Sequence, residues 1–314
     1  MSKKLRIALI FGGTSEERKV SLVSAKNVAS VLSKKYEIIP IEISNDRKWL
    51  SKLNNSYKKI DVAFLALHGP GGEDGTVQGV LDLLGLKYTC SGVLASALAM
   101  NKALTKRIVA SEGVLVAPHV LISKEEYKND RKKYLSNLKG KLVIKPNHIG
   151  SSVGVTISSN KKEIEKGIIN ALNQDDEVII EPFLKGREFT VPVLGNKKLQ
   201  ALPVIQIVPK VSDFFDYKAK YKVGGSDEIV PARISKKLAA EMQETALLVH
   251  ELLNCRGITR SDFIVTEDEK VYFLEINTIP GMTANSLVPK SAAAAGIPFS
   301  VLLAKLIQLA LNKE

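Results

Sequence analysis

The chain has 314 residues, of which 45% are hydrophobic and 25% charged, so it can bury a sizeable core and fold as two or three domains. No apolar run reaches membrane-spanning length and the N-terminus lacks a signal-peptide pattern, so we expect a cytoplasmic protein with no membrane partner. The formal net charge of +12 comes from dispersed lysines with few aromatic residues, which favours a small polyanion such as a nucleotide over a nucleic-acid partner.

The first predicted strand, Leu5–Phe11, is an unbroken apolar run typical of buried parallel strands, and a glycine-containing loop leads from it into a helix. Ligands bind at such strand-to-helix turns in α/β sheets. The motifs G-x-G-x-x-G and G-x-x-x-x-G-K-[ST] are both absent from the chain. The acidic pair in this loop also argues against phosphate, so Glu16 or Glu17 suits an ammonium group, and the structural alternative is a partner for the helix dipole.

Two further strands, Tyr36–Ile43 and Asp61–Leu67, continue the predicted first sheet. The second of them ends at His68, which opens a loop rich in glycine. Such a loop implies close approach of the backbone to a neighbour or unusual dihedral angles. His68 is therefore a candidate substrate-binding residue, with a purely structural histidine as the alternative.

A helix is predicted over Ala95–Gly113, and the first domain is expected to end near its start. A strand follows at Leu142–Pro146, and then Ser151 and Ser152 stand between glycines in the segment 150–154. Small residues with N–H groups and hydroxyls beside a strand lysine can cradle an anion. A mobile turn is the alternative.

Glu181 lies inside the apolar predicted strand Glu177–Leu184. A buried carboxylate needs a partner, and a nucleobase, a ribose or a lysine would each serve. The segment from Pro209 to Pro231 has no sustained periodicity and contains several aromatic residues, which favours a lid over a disordered loop. The remaining predicted helices are Lys161–Leu172, Ser235–Cys255, Ser286–Ala295 and Pro298–Asn312.

A β-hairpin is predicted from two runs rich in β-branched and aromatic residues, Ile258–Val265 and Val271–Asn277, which flank a polar turn. If the turn centres on Asp268 and Glu269, antiparallel pairing places Asp262 directly opposite Glu275.

The same pairing places Arg260 opposite Asn277, so four polar side chains share one face of the hairpin. Opposed carboxylates repel unless a cation lies between them, and Mg²⁺ prefers hard oxygen ligands of this kind. The alternative is a solvated hairpin face without a metal. Arg260 and the turn at Pro280–Met282 make this alternative weaker, because both suit the binding of an oxyanion.

Five motifs, weak singly but specific in this order, resemble the D-alanine–D-alanine ligases of the ATP-grasp superfamily over essentially the whole chain. They are Gly12-Gly13-Thr14-Ser15 with Glu17 and Val20-Ser21-Leu22; His68-Gly69 with Gly71-Gly72-Glu73-Asp74-Gly75-Thr76; Gly150-Ser151-Ser152-Val153-Gly154; Tyr217-Lys218-Ala219-Lys220-Tyr221; and Glu275-Ile276-Asn277-Thr278 with Pro280-Gly281-Met282-Thr283. The resemblance implies an α/β ATP-grasp fold, with an N-terminal parallel α/β domain (1–97) and two domains (98–186 and 187–314) that clasp ATP.

The resemblance also implies a reaction. ATP phosphorylates the carboxylate of one D-alanine, and the amine of a second D-alanine displaces phosphate to give the dipeptide for peptidoglycan. Two Mg²⁺ ions, for which Mn²⁺ can substitute, would assist. The expected partners are therefore two D-alanine molecules and ATP, and the family further implies a homodimer formed through the first domain.

The residue roles implied by the resemblance fall into four groups. ATP would contact Lys102, Lys145, Ser151, Ser152, Glu181, Phe183, Leu184, Glu188 and Lys220. The two D-alanines would contact Glu17, His68, Ser286 and Leu287. The metal ions would bind Asp262, Glu275 and Asn277. The catalytic set would be Glu17, Ser151, Arg260, Gly281, Lys220 and Tyr221, with Arg260 and the Gly281 N–H stabilising the tetrahedral intermediate.

Two positions depart from the family pattern, and a third bears on the choice of second substrate. Pro182 stands where many relatives have a lysine against adenine, which implies lower nucleotide affinity. Ser261 replaces a larger apolar residue but faces away from the metals. Tyr221 stands where ester-forming relatives carry histidine, so it supports dipeptide synthesis over use of D-lactate. D-serine as second substrate stays open, whereas the three metal ligands disfavour a nucleotide-binding module without turnover.

Overall fold

A computed structural model describes residues 4–210, 225–283 and 285–312 of the chain. The predicted α/β class is confirmed, because the described strands form one parallel sheet and two antiparallel sheets. In the parallel sheet, β1 (Arg6–Gly12) lies between β2 (Glu37–Ile43) and β3 (Val62–Ala66), as the three apolar runs predicted. Its helices are α1 (Arg18–Leu32), α2 (Lys48–Ser56) and α3 (Thr76–Leu83), with a 3₁₀ turn at Tyr57–Lys59.

The second sheet has four antiparallel strands in the order β4-β7-β5-β6. These strands are β4 (Val120–Ser123), β5 (Leu142–Pro146), β6 (Thr156–Ser158) and β7 (Glu177–Pro182). The helices around it are α6 (Lys124–Asn129), α7 (Arg131–Asn137) and α8 (Lys161–Leu172). The strand predicted to continue to Leu184 ends two residues earlier, and α8 has the predicted bounds.

The third sheet follows the order β11-β10-β8-β12-β13, with the short β9 paired to β8. Its strands are β8 (Gly186–Gly195), β9 (Gln200–Ala201), β10 (Ile205–Pro209), β11 (Ser226–Ile229), β12 (Gly257–Thr266) and β13 (Val271–Asn277), and α9 (Lys236–Leu252) packs against it. The segment predicted to be irregular from Pro209 to Pro231 therefore contains β11, because this stretch pairs with β10. The rest of the expected lid, at 211–224, lies outside the described residues.

The hairpin prediction is confirmed, with one correction to its turn. Asp262 pairs with Glu275 as expected, but from Phe263 towards the turn the register shifts by one residue, so the hairpin centres on Asp268 alone. A regular hairpin centred there would place Leu274 opposite Asp262. A bulge absorbs the extra residue and keeps the two carboxylates opposed.

The single helix predicted over Ala95–Gly113 is wrong, because two helices occupy this stretch. They are α4 (Val93–Met100) and α5 (Lys102–Ser111), separated by Asn101 in extended backbone conformation. The Asn101 side chain accepts the Leu104 N–H at 2.8 Å and so caps α5. The Lys102 N–H donates to the Asn147 carbonyl at 3.2 Å, which anchors this helix start to the second sheet.

The two C-terminal helices are α10 (Leu287–Ala294) and α11 (Phe299–Leu311), as predicted. Leu302, Leu303 and Leu306 of α11 are buried in the same hydrophobic cluster as β1 and β3, so the two ends of the chain share one core. The boundaries expected at 97/98 and 186/187 stay a prediction. No single described helix is long and apolar enough to cross a membrane, although α10 and α11, which meet at 103°, reach that length and apolarity together.

Replacing Asn101 with alanine should lower the free energy of unfolding by about 1–2 kcal/mol, because the cap of α5 is lost. The variant also loses the contacts of this side chain with Asn147 and His148. Urea unfolding measures the change. Arg107→Ala, at an exposed position of the same helix, is the control and should stay within about 0.5 kcal/mol of the parent. Equal stability of both variants would contradict the capping role.

Candidate active site

A cleft runs between the parallel sheet and the two antiparallel sheets, and it contains two cavities. The larger has a volume of about 530 Å³ and lies among the loops after β1 and β3, the end of β13 and the start of α10. The smaller, of about 150 Å³, lies between the second and third sheets. Lys102 and Glu275 line both cavities, so the cavities adjoin at these two side chains.

Glu17 is buried at the start of α1 and lines the large cavity. Its carboxylate accepts a hydrogen bond from the Ser151 hydroxyl, which joins the parallel sheet to the serine loop of the second sheet. Any side chain at position 69 would collide with Glu17 and with Ser15, and Gly69 has a φ of +74°. The glycine therefore leaves the space that the Glu17 carboxylate occupies.

His68 has both of the features that the sequence left as alternatives. Its ring is buried, with Nε2 3.2 Å from the Ser24 hydroxyl and Nδ1 3.8 Å from Glu73. It also lines the large cavity, as does Glu73. Glu73 is a residue that the site prediction missed, although it stands in the glycine-rich motif. Its Oε2 accepts the Gly69 N–H at 2.9 Å, so it fixes the loop beside Glu17.

The structure brings Asp262, Glu275 and Asn277 together at the end of the hairpin where the two cavities meet. Arg260 donates two hydrogen bonds to Asp262, at 2.9 and 2.8 Å, and Lys102 lies 3.9 Å from Glu275. Burial opposes the charge on Arg260, but Asp262 outweighs it and holds the pKa of the guanidinium above its usual value.

The donor chemistry of this set fits Mg²⁺. Two carboxylates and an amide supply hard oxygens, and protein sites for Mg²⁺ use one or two carboxylates and complete the shell with water and substrate phosphates. No cluster of three or more His, Cys, Asp and Glu side chains suited to a metal occurs in the described parts of the chain. A metal here would thus depend on ligands beyond the protein's carboxylates.

Glu181 projects into the wall of the small cavity and is almost completely buried. Of the partners that the sequence left open, the structure supplies lysines: Lys106 Nζ lies 2.5 Å from one carboxylate oxygen and Lys145 Nζ 2.9 Å from the other. Burial alone would raise the pKa of Glu181, but the two lysines together lower it to about 2. Lys106 was not predicted as a site residue; its only sequence signal is a position one helical turn after Lys102.

Six other residues predicted to bind ATP line the small cavity as well, whereas Ser151, which carries the same prediction, lines the large cavity. The six are Lys102, Lys145, Ser152, Phe183, Leu184 and Glu188. The Phe183 N–H donates to the Lys141 carbonyl at 2.8 Å, and the Lys141 ammonium lies 4.2 Å from the centre of the Phe183 ring. This backbone N–H is therefore already bonded within the protein.

Gly281, Ser286 and Leu287 line the large cavity at the start of α10. The Ser286 hydroxyl accepts the Thr283 N–H at 3.0 Å, and a side chain at position 281 would press against that hydroxyl. Lys220 and Tyr221, the remaining predicted site residues, lie outside the described part of the chain.

An ion pair that sequence reasoning missed, between Lys290 of α10 and Glu228 of β11, also lines the large cavity. These two residues lie far apart in the sequence and in no recognisable motif, so no signal pointed to them.

Comparison with known proteins gives one consistent result. A family model described as D-ala D-ala ligase C-terminus matches residues 108–308, and one described as D-ala D-ala ligase N-terminus matches residues 6–58 and 51–91. The D-alanine--D-alanine ligase of Syntrophobacter fumaroxidans is 46% identical over 313 residues, covering 99% of each chain. That of Clostridium beijerinckii is 45% identical, covering 97% of this chain and 98% of the relative.

Solved structures agree with the relatives. A D-alanine--D-alanine ligase from Bacillus anthracis complexed with ATP superposes with a TM-score of 0.84 at 37% identity, covering 99% of this chain and 98% of that one. The VanG D-Ala:D-Ser ligase from Enterococcus faecalis superposes with a TM-score of 0.85 at 34% identity, covering 98% of this chain and all of that one.

Replacing Glu181 with glutamine should lower the free energy of unfolding at pH 7 by about 3 kcal/mol, because two buried lysines lose their counter-charge. The pKa of Glu181 is lowered from its usual 4.5 to about 2 in the folded state. Its contribution is therefore complete above pH 4.5 and is lost as the pH falls towards 2. The stability difference between parent and variant, measured by urea unfolding at several pH values, should shrink over that window.

Glu165→Gln is the matched control, because it breaks an ion pair with Arg131 at the surface. This change should cost less than about 1 kcal/mol. An equal loss in both variants would contradict the argument from burial, and so would a Glu181→Gln difference that does not change between pH 7 and pH 3.

Proposed function

The chain belongs to the D-ala D-ala ligase family, and from this premise we propose that the cleft joins two D-alanine molecules with cleavage of ATP to ADP and phosphate. The protein is an ATP-dependent D-alanine–D-alanine ligase of the ATP-grasp fold that makes the dipeptide for peptidoglycan precursors. The observation that carries the assignment of the cleft is the junction at Lys102 and Glu275, where the small cavity between the second and third sheets adjoins the larger, more polar one.

The first half-reaction forms an acyl phosphate. A carboxylate oxygen of the first D-alanine attacks the γ-phosphorus of ATP, the bond to the β-phosphate oxygen breaks, and ADP leaves. Glu17 would hold the ammonium group of this D-alanine, since it is a buried carboxylate that faces the large cavity. Its hydrogen bond from Ser151 would place the serine loop beside the reacting groups.

The second half-reaction forms the peptide bond. The amine of the second D-alanine attacks the acyl carbon, phosphate leaves, and the amine gives up a proton. Ser286 and Leu287, at the start of α10, would receive the carboxylate of this D-alanine. Arg260 and the Gly281 N–H would stabilise the negative oxygen of the tetrahedral intermediate, with His68 completing the pocket wall.

Lys102, Lys145 and the Ser151-Ser152 loop would contact the phosphates of ATP, while Glu181, Phe183 and Leu184 would hold adenine and Glu188 the ribose. The positions of these residues around the small cavity, with Ser151 beside it in the large cavity, support this assignment. The roles of Lys220 and Tyr221, near the transferred phosphate and in the hydrogen-bonded set with Glu17, are proposed on the motif alone.

Asp262, Glu275 and Asn277 would hold two Mg²⁺ ions, or Mn²⁺, when ATP is present. The ions would neutralise phosphate oxygens along the transfer path. Arg260 lies against Asp262 and Lys102 lies near Glu275, so each carboxylate also has a positive side chain of the protein beside it. We further propose a cytoplasmic location, a homodimer formed through the first domain, and the domain boundaries 1–97, 98–186 and 187–314.

A second candidate function is use of D-serine as the second substrate. The close superposition with a D-Ala:D-Ser ligase supports this candidate. Comparison of the product yields with D-alanine, D-serine and D-lactate would separate the candidates.

Purified protein should release phosphate from ATP and Mg²⁺ only when D-alanine is added, and mass spectrometry should detect D-alanyl-D-alanine. L-alanine and a reaction without amino acid are the controls. Because Glu17 and Ser286, which both line the large cavity, would fix different groups of the substrates, the L enantiomer should give less than about a tenth of the rate. Nucleotide binding without release would contradict the assignment.

Glu275→Gln should lower kcat at least about 100-fold, because the proposed metal site loses the charge that balances two cations. The fold should persist, since Glu275 is only partly buried. Glu267→Gln, at an exposed position on the same hairpin, is the control and should leave kcat unchanged. Full activity of the Glu275 variant would exclude the metal assignment.

A further inference from the structure

Glu181 is held by two lysines that differ in their access to the cleft. Lys145 lines the small cavity and is partly exposed. Lys106 has no exposed surface, and within the described chain it is not among the residues that line either cavity. Lys106 therefore lies behind the cavity wall, on the far side of the Glu181 carboxylate, and cannot touch a nucleotide.

The cluster of Glu181, Lys106 and Lys145 has one more positive charge than negative charge. Two ammonium groups face a single carboxylate, and each takes a different oxygen of Glu181, Lys106 at 2.5 Å and Lys145 at 2.9 Å. If Lys145 were the only partner, moving it to a phosphate would leave Glu181 buried and unpaired, which is costly. With Lys106 in place, Glu181 keeps a counter-charge wherever Lys145 points.

We propose that Lys106 is a positioning residue of the nucleotide site: it neutralises Glu181 from behind the cavity wall, so that Lys145 can leave that carboxylate for a phosphate of ATP. This inference rests on the proposed function, which puts a nucleotide in the small cavity. Lys106, which contacts no ligand, would thus determine whether Lys145 is available to bind a phosphate. The predicted effect is confined to ligands that carry phosphates.

The test measures the ratio of the dissociation constants of adenosine and ATP by equilibrium dialysis, without D-alanine. In Lys106→Met, Glu181 should hold Lys145, so the affinity for ATP should fall roughly tenfold and that for adenosine less than about twofold. In the double variant Lys106→Met/Glu181→Gln, position 181 no longer carries the charge that holds Lys145, and the ratio should return to within about threefold of the parent value.

Arg107→Met is the matched control, because it removes a positive charge from the exposed face of the same helix. Its ratio should equal that of the parent. A defect of packing at Lys106 would weaken adenosine and ATP together, and the double variant would then be no better than the single one. Either of these results, or an unchanged ratio in Lys106→Met, would overturn the proposal.

A second measurement needs no variant. The groups that face Lys106 are Glu181 of β7, Lys145 of β5 and Glu275 of β13. Burial, reinforced by Lys145, lowers the pKa of Lys106 to about 8, whereas Glu181 and Glu275 outweigh burial at Lys145 and raise its pKa. As the pH rises from 7 to 9.5, Lys106 should lose its proton and the ratio should fall in the parent protein.

The two proposals fail in different ways. Binding of ATP without formation of the dipeptide would refute the ligase reaction and leave the ratio as the measure of the Lys106 role. Failure of the parent protein to bind ATP would refute both proposals.

Discussion

The repulsion between Asp262 and Glu275 is the constraint on which the rest of the cleft depends. These carboxylates face each other across two paired strands, and the bulge in β13 keeps them opposed where regular pairing would bring Leu274 to that position. Such a pair is stable only with positive charge nearby. Arg260 and Lys102 supply that charge from the same strand and from the start of α5. Because Lys102 is the first residue of α5, the break at Asn101, where this helix begins, determines where the charge of Lys102 lies in the site.

Glu181 also needs positive charge nearby, but there the charges are arranged differently. There a single carboxylate lies between two lysines, one at the cavity and one behind it. Together with Lys102 this gives the small cavity positive charge in its lining, while Glu275 and Asp262 stand at its junction with the larger cavity. A phosphate chain that crosses the junction would meet lysines along its length and, at its reacting end, the carboxylates suited to a divalent cation.

The cleft is assembled from parts of the chain that have separate cores. Glu17 belongs to the parallel sheet and Ser151 to a loop of the second sheet, and their hydrogen bond joins the two across the large cavity. The C-terminal helices pack into the core of the parallel sheet, so α10 carries Ser286 and Leu287 to the same cavity. Because the parallel sheet and the second sheet pack in different hydrophobic clusters, the site depends on how these parts are oriented as well as on each part's own stability.

The sequence by itself determined those features that follow from local pattern. The three parallel strands, the hairpin with Asp262 opposite Glu275, the glycine-rich loops and the family resemblance all depend on residues close in sequence or on ordered motifs. Strand β8 was missed, although it pairs with β12 along its whole length. The partner of Glu181, the position of Lys106, the Glu228–Lys290 pair and the bulge at Leu274 were decided only by the tertiary structure. A charged residue inside an apolar run indicates from the sequence alone that it needs a partner. The partner comes from another secondary-structure element, so its identity depends on how the elements pack together.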